Sequence, residues 1–120
     1  MPKPRPAGWY PRRGEIYLVE VQAGGLTKRR PFLVLSIDPL NRQALDVCVV
    51  PLTTVHHGEF RMRVPIAQGE GGLDRASWVK CDQVTTLEKE LLSYPPIGTL
   101  AGRPALKEIE AQVRFALGLS

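Results

Sequence analysis

The stretch TKRRPFLVLSIDPLN, residues 27–41, decides the fold prediction. Three cations, Lys28, Arg29 and Arg30, precede a nearly continuous apolar run over residues 31–37. Such a run predicts a central strand covered on both faces, with its proline at the first residue, where a strand tolerates one. The cations therefore lie at the mouth of a core strand. An arginine held there by a rigid strand presents a fixed fork of donors suited to a phosphate oxygen, although an ordinary strand-edge arginine is the simpler interpretation.

The rest of the chain predicts a mainly β protein with a C-terminal helix. Further strands are expected over residues 15–21, 44–54, 59–66, 77–84 and 96–100. Gly24-Gly25 and the DPLN sequence at 38–41 predict turns, and Pro51 is expected to stop or kink its strand. Strands at this close spacing predict a small, strongly bent barrel with the helix packed on it.

Helix signals are concentrated late in the chain. Thr85 and Glu88 have capping-box spacing, which predicts a short helical turn after them. Residues 104–119 form the clear amphipathic helix, opened by Pro104 and closed by Gly118. The apolar stripe expected to face the core consists of Leu106, Ile109, Val113, Ala116 and Leu117.

Length and composition are typical of one globular domain. The 120 residues can hold a core without metal or disulfide staples, so Cys48 and Cys81 are expected to be buried free thiols in a reducing cytoplasm. The N-terminus has no apolar signal segment, and no apolar run reaches the roughly 20 residues that span a bilayer, so no membrane partner is expected. The net charge of +4 favours an anionic partner such as nucleic acid, but many soluble domains are equally basic.

The N-terminal segment, residues 1–13, is basic and rich in proline. We expect a mobile or loosely draped arm. Within it, Trp9 and Tyr10 could dock on the body or stack on a base, and docking is the favoured alternative.

Candidate chemistry is sparse. His56 and His57 are adjacent, so in extended chain they point opposite ways, and a solvated loop is the favoured interpretation. The carboxylates form no tight cluster and no C-x-x-C pair exists, so neither a metal nor another cofactor is expected. Arg61 and Arg63 share one face of a predicted strand, where they are either solvated or extend the positive surface of residues 28–30.

A family resemblance changes the weight of these features. In order and at suitable spacing, RRGEIYLVEV, KRRPFLVLSIDPLN, VCVVPLTT, GGLDRASWVKCDQVTTLEKELL and PIGTL resemble the MazF/PemK family of toxin endoribonucleases of type II toxin-antitoxin systems. The combination is specific, although no single piece is. The resemblance spans about residues 12–119. It divides the chain into an arm, residues 1–11, and a toxin domain, residues 12–120.

The resemblance implies a small SH3-like, CcdB-like β-barrel with packed helices, and a homodimer. It also implies metal-independent, sequence-selective cleavage of single-stranded RNA such as mRNA, and inhibition by a cognate antitoxin. Arg30, before the strand proline, matches the family's catalytic arginine. The catalytic threonine matches Thr53, with Thr54 as the alternative. The residues expected to contact RNA are Lys28, Arg29, Ser36, Thr54, Arg61 and Arg63.

Two other functions fit the same fold. One is a non-enzymatic toxin that poisons a protein target such as a topoisomerase. The other is an RNA-binding domain with a catalytically dead site. The presence of both Arg30 and Thr53 favours the nuclease.

Overall fold

A half-barrel of antiparallel strands, followed by a C-terminal helix, forms the protein, and this confirms the predicted fold class. The computed structural model describes residues 3–56, 58 and 62–119. The strands in these ranges are β1 (Glu15–Ala23), β2 (Leu26–Val34), β3 (Asp46–Thr53), β4 (Arg63–Ile66), β5 (Ser77–Lys80), β6 (Thr85–Glu88) and β7 (Ser93–Thr99). The helices are α1 (Asp38–Gln43) and α2 (Pro104–Ala116), with single 3₁₀ turns at Glu70–Gly72 and Lys89–Leu91.

The sheet order is β4-β5-β3-β2-β1-β7, and β6 pairs with the first half of β3. A hairpin joins β1 to β2 through Gly24 and Gly25, whose positive φ angles of 59° and 79° suit glycine. The central strand predicted over residues 31–37 is β2, which starts five residues earlier and ends three residues earlier than predicted. It begins at Leu26, because its first half pairs with β1, and Pro31 lies inside the strand opposite Leu18.

Two other local predictions differ from the structure, and a third is confirmed in part. The DPLN sequence opens the short helix α1 instead of a simple turn, with the proline in the first helical turn. β3 continues through Pro51 and ends at Thr53. The short helical turn predicted after Thr85 and Glu88 is present as the 3₁₀ turn Lys89–Leu91. It has no side-chain cap, because Thr85–Glu88 is strand β6, paired with β3.

The strand predicted over 59–66 lies partly outside the described residues, because residues 59–61 are not among them. Its remainder is β4, in which Val64 and Ile66 are buried and Arg63 points to the opposite face. The predicted strand over 77–84 ends at Lys80, and the last strand begins earlier than predicted, at Ser93.

Helix α2 covers one face of the sheet. Leu106 and Ile109 are buried against strand residues such as Ile16, Leu33 and Val50. Val113 packs on the edge of this core, whereas Leu117 is 51% exposed, so the predicted stripe holds only as far as the last turn. A backbone-to-backbone contact closes the same side: a Cβ on Gly72 would lie 1.7 Å from the carbonyl oxygen of Ile97.

A second apolar cluster lies on the other face, around Tyr17, Val19, Phe32 and Leu92. The N-terminal arm docks on it. The Trp9 ring meets Tyr17 and Tyr94 edge-on, with ring centroids 6.0 and 6.2 Å apart.

Arg5 holds the same arm in place. Its guanidinium donates to the backbone carbonyl of Leu92 at 2.6 Å and lies over the Trp9 ring. The expectation that Trp9 docks is confirmed, and a loosely draped arm does not describe residues 3–11, which are held by these contacts.

Both cysteines are free thiols, Cys81 buried and Cys48 only half-buried. Burial, and secondly the nearby Asp82 carboxylate, raises the pKa of Cys81 to about 12. Burial, and a hydrogen bond to Glu15, also raises the pKa of Tyr17. Among the described residues, no helix is long and apolar enough to cross a membrane.

Candidate nucleic-acid interface

The pairing of β2 with β3 ends between two prolines. The last observed pair is Phe32 of β2 with Pro51 of β3. The next residue of β2 in the direction of this end is Pro31. Neither proline has an N–H to donate, so the ladder loses its hydrogen bonds at this point. When the same register is extended by two residues, Arg30 comes opposite Thr53. The sheet thus brings together the two residues predicted to be catalytic, on neighbouring strands.

Both residues point to the same face of the sheet. Arg30 pairs with Val19 of β1 and shares its face with Phe32, while Thr53 shares its face with Pro51, the partner of Phe32. This is the face that carries the second apolar cluster. Arg30 is exposed, so a rigid apolar base supports a guanidinium that reaches solvent.

Thr53 has a fixed hydroxyl oxygen. Its Oγ1 accepts a hydrogen bond from the backbone N–H of Val55 at 3.1 Å, and the residue is half-buried. A hydroxyl that accepts in this way retains its own proton to donate. Thr54 follows the end of β3 and is exposed, and strand alternation directs it away from the face of Arg30. The geometry therefore favours Thr53 over Thr54 as the partner of Arg30.

Strand alternation divides the basic cluster. Lys28 lies on the face of Arg30, opposite Val21, whereas Arg29 lies on the other face, opposite Glu20. Lys28 and Arg29 are both exposed. Only two of the three cations can therefore act together with Thr53, because Arg29 points to the other face.

Strand β5 adds residues that the sequence prediction missed. Trp78 is paired with Thr53 on one side and with Pro65 of β4 on the other, so its ring lies on the face of Thr53. The His56 ring stacks on Trp78 with ring centroids 4.0 Å apart and an interplanar angle of 12°. Lys80, two residues along β5, adds a cation to this face. Ser77 and Val79 are buried and alternate with Trp78 and Lys80. This period-two pattern is the signal that could have placed Trp78 and Lys80 together on the other face.

The other predicted contact residues lie elsewhere or in different surroundings. Arg63 forms an ion pair with Asp82, and its side chain is only 10% exposed. Arg61 lies outside the described residues. The surface extending from residues 28–30 therefore gains less from Arg63 than the sequence suggested.

Ser36 belongs to a separate hydrogen-bond network. Its Oγ accepts from the backbone N–H of Cys48 at 3.0 Å and donates to the buried Asn41, whose amide nitrogen donates back to the Ser36 carbonyl at 2.8 Å. Cys48 and Thr53 are five residues apart on β3, roughly 17 Å at the usual rise per residue. The structure thus places Ser36 where it joins α1 to β3, away from the pair of Arg30 and Thr53.

This face combines an exposed guanidinium on a paired strand, a hydroxyl donor, further cations and a ring platform. Such a set can hold an anion with two or more oxygen acceptors and a planar group beside it. In residues 3–56, 58 and 62–119, no group of three or more His, Cys, Asp or Glu side chains is placed to hold a metal ion.

A family model described as PemK-like, MazF-like toxin of type II toxin-antitoxin system matches residues 12–117. The chain belongs to this toxin family. No curated protein sequence matches it.

Solved structures of MazF-like toxins have the same fold. An endoribonuclease in complex with its cognate antitoxin, from a mycobacterial species, is 27% identical, with a TM-score of 0.77 over 92% of this chain and 97% of that one. The Mycobacterium tuberculosis toxin MazF-mt6 is 25% identical, with a TM-score of 0.73 over 88% and 98%. A MazE-MazF complex from Deinococcus radiodurans, 21% identical with a TM-score of 0.77 over 93% and 100%, shares the fold.

Proposed function

We propose that this MazF-like toxin is a metal-independent endoribonuclease that cleaves single-stranded RNA, such as mRNA, with sequence selectivity. The observation that carries the proposal is the position of Arg30 and Thr53 on one face, where the β2–β3 ladder ends. The similarity to a mycobacterial endoribonuclease over most of both chains supports RNA as the substrate class.

The substrate's own ribose supplies the nucleophile in this mechanism. The 2′-oxygen forms a bond to the adjacent phosphorus as its proton passes to solvent, and the bond from phosphorus to the 5′-oxygen of the next nucleotide breaks as that oxygen takes a proton from solvent. The products are a 2′,3′-cyclic phosphate and a 5′-hydroxyl. No water nucleophile is needed, and for that reason no metal is required to activate one.

Arg30 and Thr53 have different parts in this step. The phosphate gains negative charge in the transition state, and the Arg30 guanidinium stabilises that charge through two parallel donors. An arginine is a poor base at its normal pKa, so we assign it charge stabilisation and not proton abstraction. Thr53 donates a hydrogen bond from its hydroxyl to a phosphate oxygen, and the hydroxyl oxygen itself accepts from the N–H of Val55.

RNA binding extends beyond this pair. Lys28 shares the face of Arg30 and is the strongest candidate for a further phosphate contact, and Lys80 lies on the same face beyond Thr53. Arg29, Thr54, Arg61, Arg63 and Ser36 remain expected contacts from the family resemblance, with weaker geometric support for Ser36 and Arg63. Each phosphate neutralised should contribute about −0.7 to the slope of log K against log salt.

The assembly is part of the proposal. We expect a homodimer, because large apolar side chains around α1 are exposed, among them Ile37, Leu40 and Leu45, the last at 81%. We also expect a cognate antitoxin as inhibitor, because the mycobacterial relative is described in complex with one. A light-scattering mass equal to one chain at micromolar concentration would contradict the homodimer.

The proposal is tested by paired substitutions in a cleavage assay on mixed-sequence single-stranded RNA. Arg30→Ala and Thr53→Val should each lower the rate by about 10²–10³-fold, the usual cost of one transition-state donor. Arg29→Ala and Thr54→Val remove the same groups from the neighbouring residues and should cost far less. Circular dichroism checks that all four variants are folded.

Each alternative outcome has a distinct meaning. Near-wild-type turnover of Arg30→Ala would remove Arg30 from the mechanism, and a larger loss for Thr54→Val than for Thr53→Val would reverse the choice of threonine. Wild-type protein that binds RNA without cleaving it would be an RNA-binding domain with a dead site. Wild-type protein that neither binds nor cleaves RNA would leave the protein-poison function.

A further inference from the structure

The ring stack of His56 on Trp78 differs from the other aromatic contacts in the described chain. Trp9 meets Tyr17 and Tyr94 edge-on, at interplanar angles of 78° and 80°, in an arrangement typical of packed cores. The His56 and Trp78 rings are nearly parallel, at 12°, and His56 is exposed. The outer face of the imidazole ring therefore forms a flat surface that solvent can reach.

The stack lies beside the proposed catalytic threonine. Trp78 is directly opposite Thr53 in the ladder of β3 and β5, and paired residues in such a ladder have Cα atoms roughly 4.5–5.5 Å apart. On its other side Trp78 is opposite Pro65, so a paired strand lies on each side of Trp78. A phosphate held by Thr53 would bring the base of an adjoining nucleotide to the level of these rings.

We propose that the exposed face of His56 is a stacking platform for the base of a nucleotide that flanks the scissile phosphate. The inference rests on the proposed function and adds a binding site to it. His56 contacts the base, and Trp78 is the positioning residue that holds the imidazole ring flat. Stacking uses the π-face that every base has, so the platform favours bases with larger rings without reading their hydrogen-bonding edges.

The test measures binding instead of cleavage, so that it does not depend on turnover. The probe is a fluorescently labelled single-stranded oligonucleotide with 2′-deoxy nucleotides throughout, which lacks the proposed nucleophile, and affinity is followed by anisotropy at fixed salt. His56→Leu removes the flat ring, and His56→Phe keeps one. We expect binding to be roughly 5- to 150-fold weaker for His56→Leu, the range for loss of one base–aromatic stack, and within about threefold of wild type for His56→Phe.

An abasic scan separates stacking from a structural effect. In a series of probes that each lack one base, one position should weaken wild-type binding as much as His56→Leu does. At that position, His56→Leu and Trp78→Leu should cause no further loss, because the base that they would contact is absent. A merely structural role of Trp78 would weaken binding of the intact and abasic probes equally.

Several outcomes would overturn the platform while the proposed function stands. One is that His56→Leu cleaves RNA and binds the probe as tightly as wild type does. Another is that His56→Leu and His56→Phe lose equal affinity for the probe. A third is tighter binding of the probe by His56→Leu, which would mean that the base takes the place of His56 on Trp78. Failure of the wild type both to bind these probes and to cleave RNA would instead overturn the proposed function, and the platform with it.

Discussion

Arg63 either stabilises the fold through its ion pair with Asp82 or contacts RNA. The substitution Asp82→Ala tests whether the ion pair contributes to stability. Arg63 is 10% exposed and Asp82 is 28% exposed. Removing one partner of a fully buried pair costs about 3–5 kcal/mol, whereas exposed pairs contribute about 0.2–1 kcal/mol. Because the arginine end is buried and the carboxylate end partly solvated, we expect a loss of about 2 kcal/mol in the free energy of unfolding.

That loss is measurable in thermal and urea unfolding. For a chain of this length, about 1 kcal/mol corresponds to roughly 4 °C, so the Tm should fall by about 8 °C. The loss should persist at about 0.5 M salt, because partly buried pairs are screened less than surface pairs. The matched control is Asp46→Ala, an exposed carboxylate on β3, which should change stability by no more than about 0.5 kcal/mol.

An effect of Asp82→Ala as small as that of the control would mean that the ion pair does not stabilise the fold. So would a loss that disappears in high salt, because either result would describe a solvated surface pair. Arg63 would then be accessible to a phosphate backbone, as the sequence pattern suggested.

Three further predictions concern helix α2, Cys81 and the N-terminal arm. Ile109→Ala should cost about 2–5 kcal/mol by calorimetry, because Ile109 on α2 is fully buried against the sheet. Leu117→Ala should be near neutral, and equal costs would contradict the observed limit of the helix stripe. Burial raises the pKa of Cys81 from 9.0 to about 12, so this thiol ionises in the unfolded chain before it ionises in the folded one, and the free energy of unfolding should fall between about pH 9 and pH 12. In urea titrations the free energy of unfolding should fall less steeply with pH for Cys81→Ala than for wild type. An equal fall in the two proteins would contradict the raised pKa of Cys81. Removing residues 1–11 should lower the Tm, because Trp9 docks on the second apolar cluster, and should leave the salt slope of RNA binding unchanged; a smaller slope would mean that the arm touches RNA.

Hydrophobic periodicity was sufficient for the strands that form the core. The apolar runs of β2 and β3 and most of the apolar stripe of α2 lie where they were predicted. Their burial depends on their own hydrophobic pattern and not on which segment pairs with them. The pattern failed where pairing with a distant segment decides the structure. The start of β2 is polar, and only its ladder with β1 makes it a strand; Thr85–Glu88 has capping-box spacing, but pairing with β3 makes it a strand and leaves the turn after it without a side-chain cap.

The candidate site shows the same division. Arg30 and Thr53 could be named from the motifs, but their common face follows from the register of β2 against β3, which no single segment encodes. Trp78 and His56 were missed because their relation depends on the pairing of β5 with the end of β3 and on the loop that follows. The ion pair of Arg63 could not be predicted, because its partner, Asp82, lies nineteen residues away on a turn after β5.

The chemistry of the product ends distinguishes attack by the ribose 2′-hydroxyl from attack by water. RNA of defined sequence is incubated with the protein in EDTA, and the product ends are labelled. Attack by the 2′-hydroxyl predicts 5′ ends that accept phosphate from a kinase without prior phosphatase treatment, and 3′ ends that carry a cyclic phosphate or its opened form. It also predicts that a 2′-deoxy nucleotide on the 5′ side of the mapped bond abolishes cleavage there. Metal-dependent cleavage that leaves 5′-phosphate ends would instead mean a water nucleophile and contradict the roles given to Arg30 and Thr53.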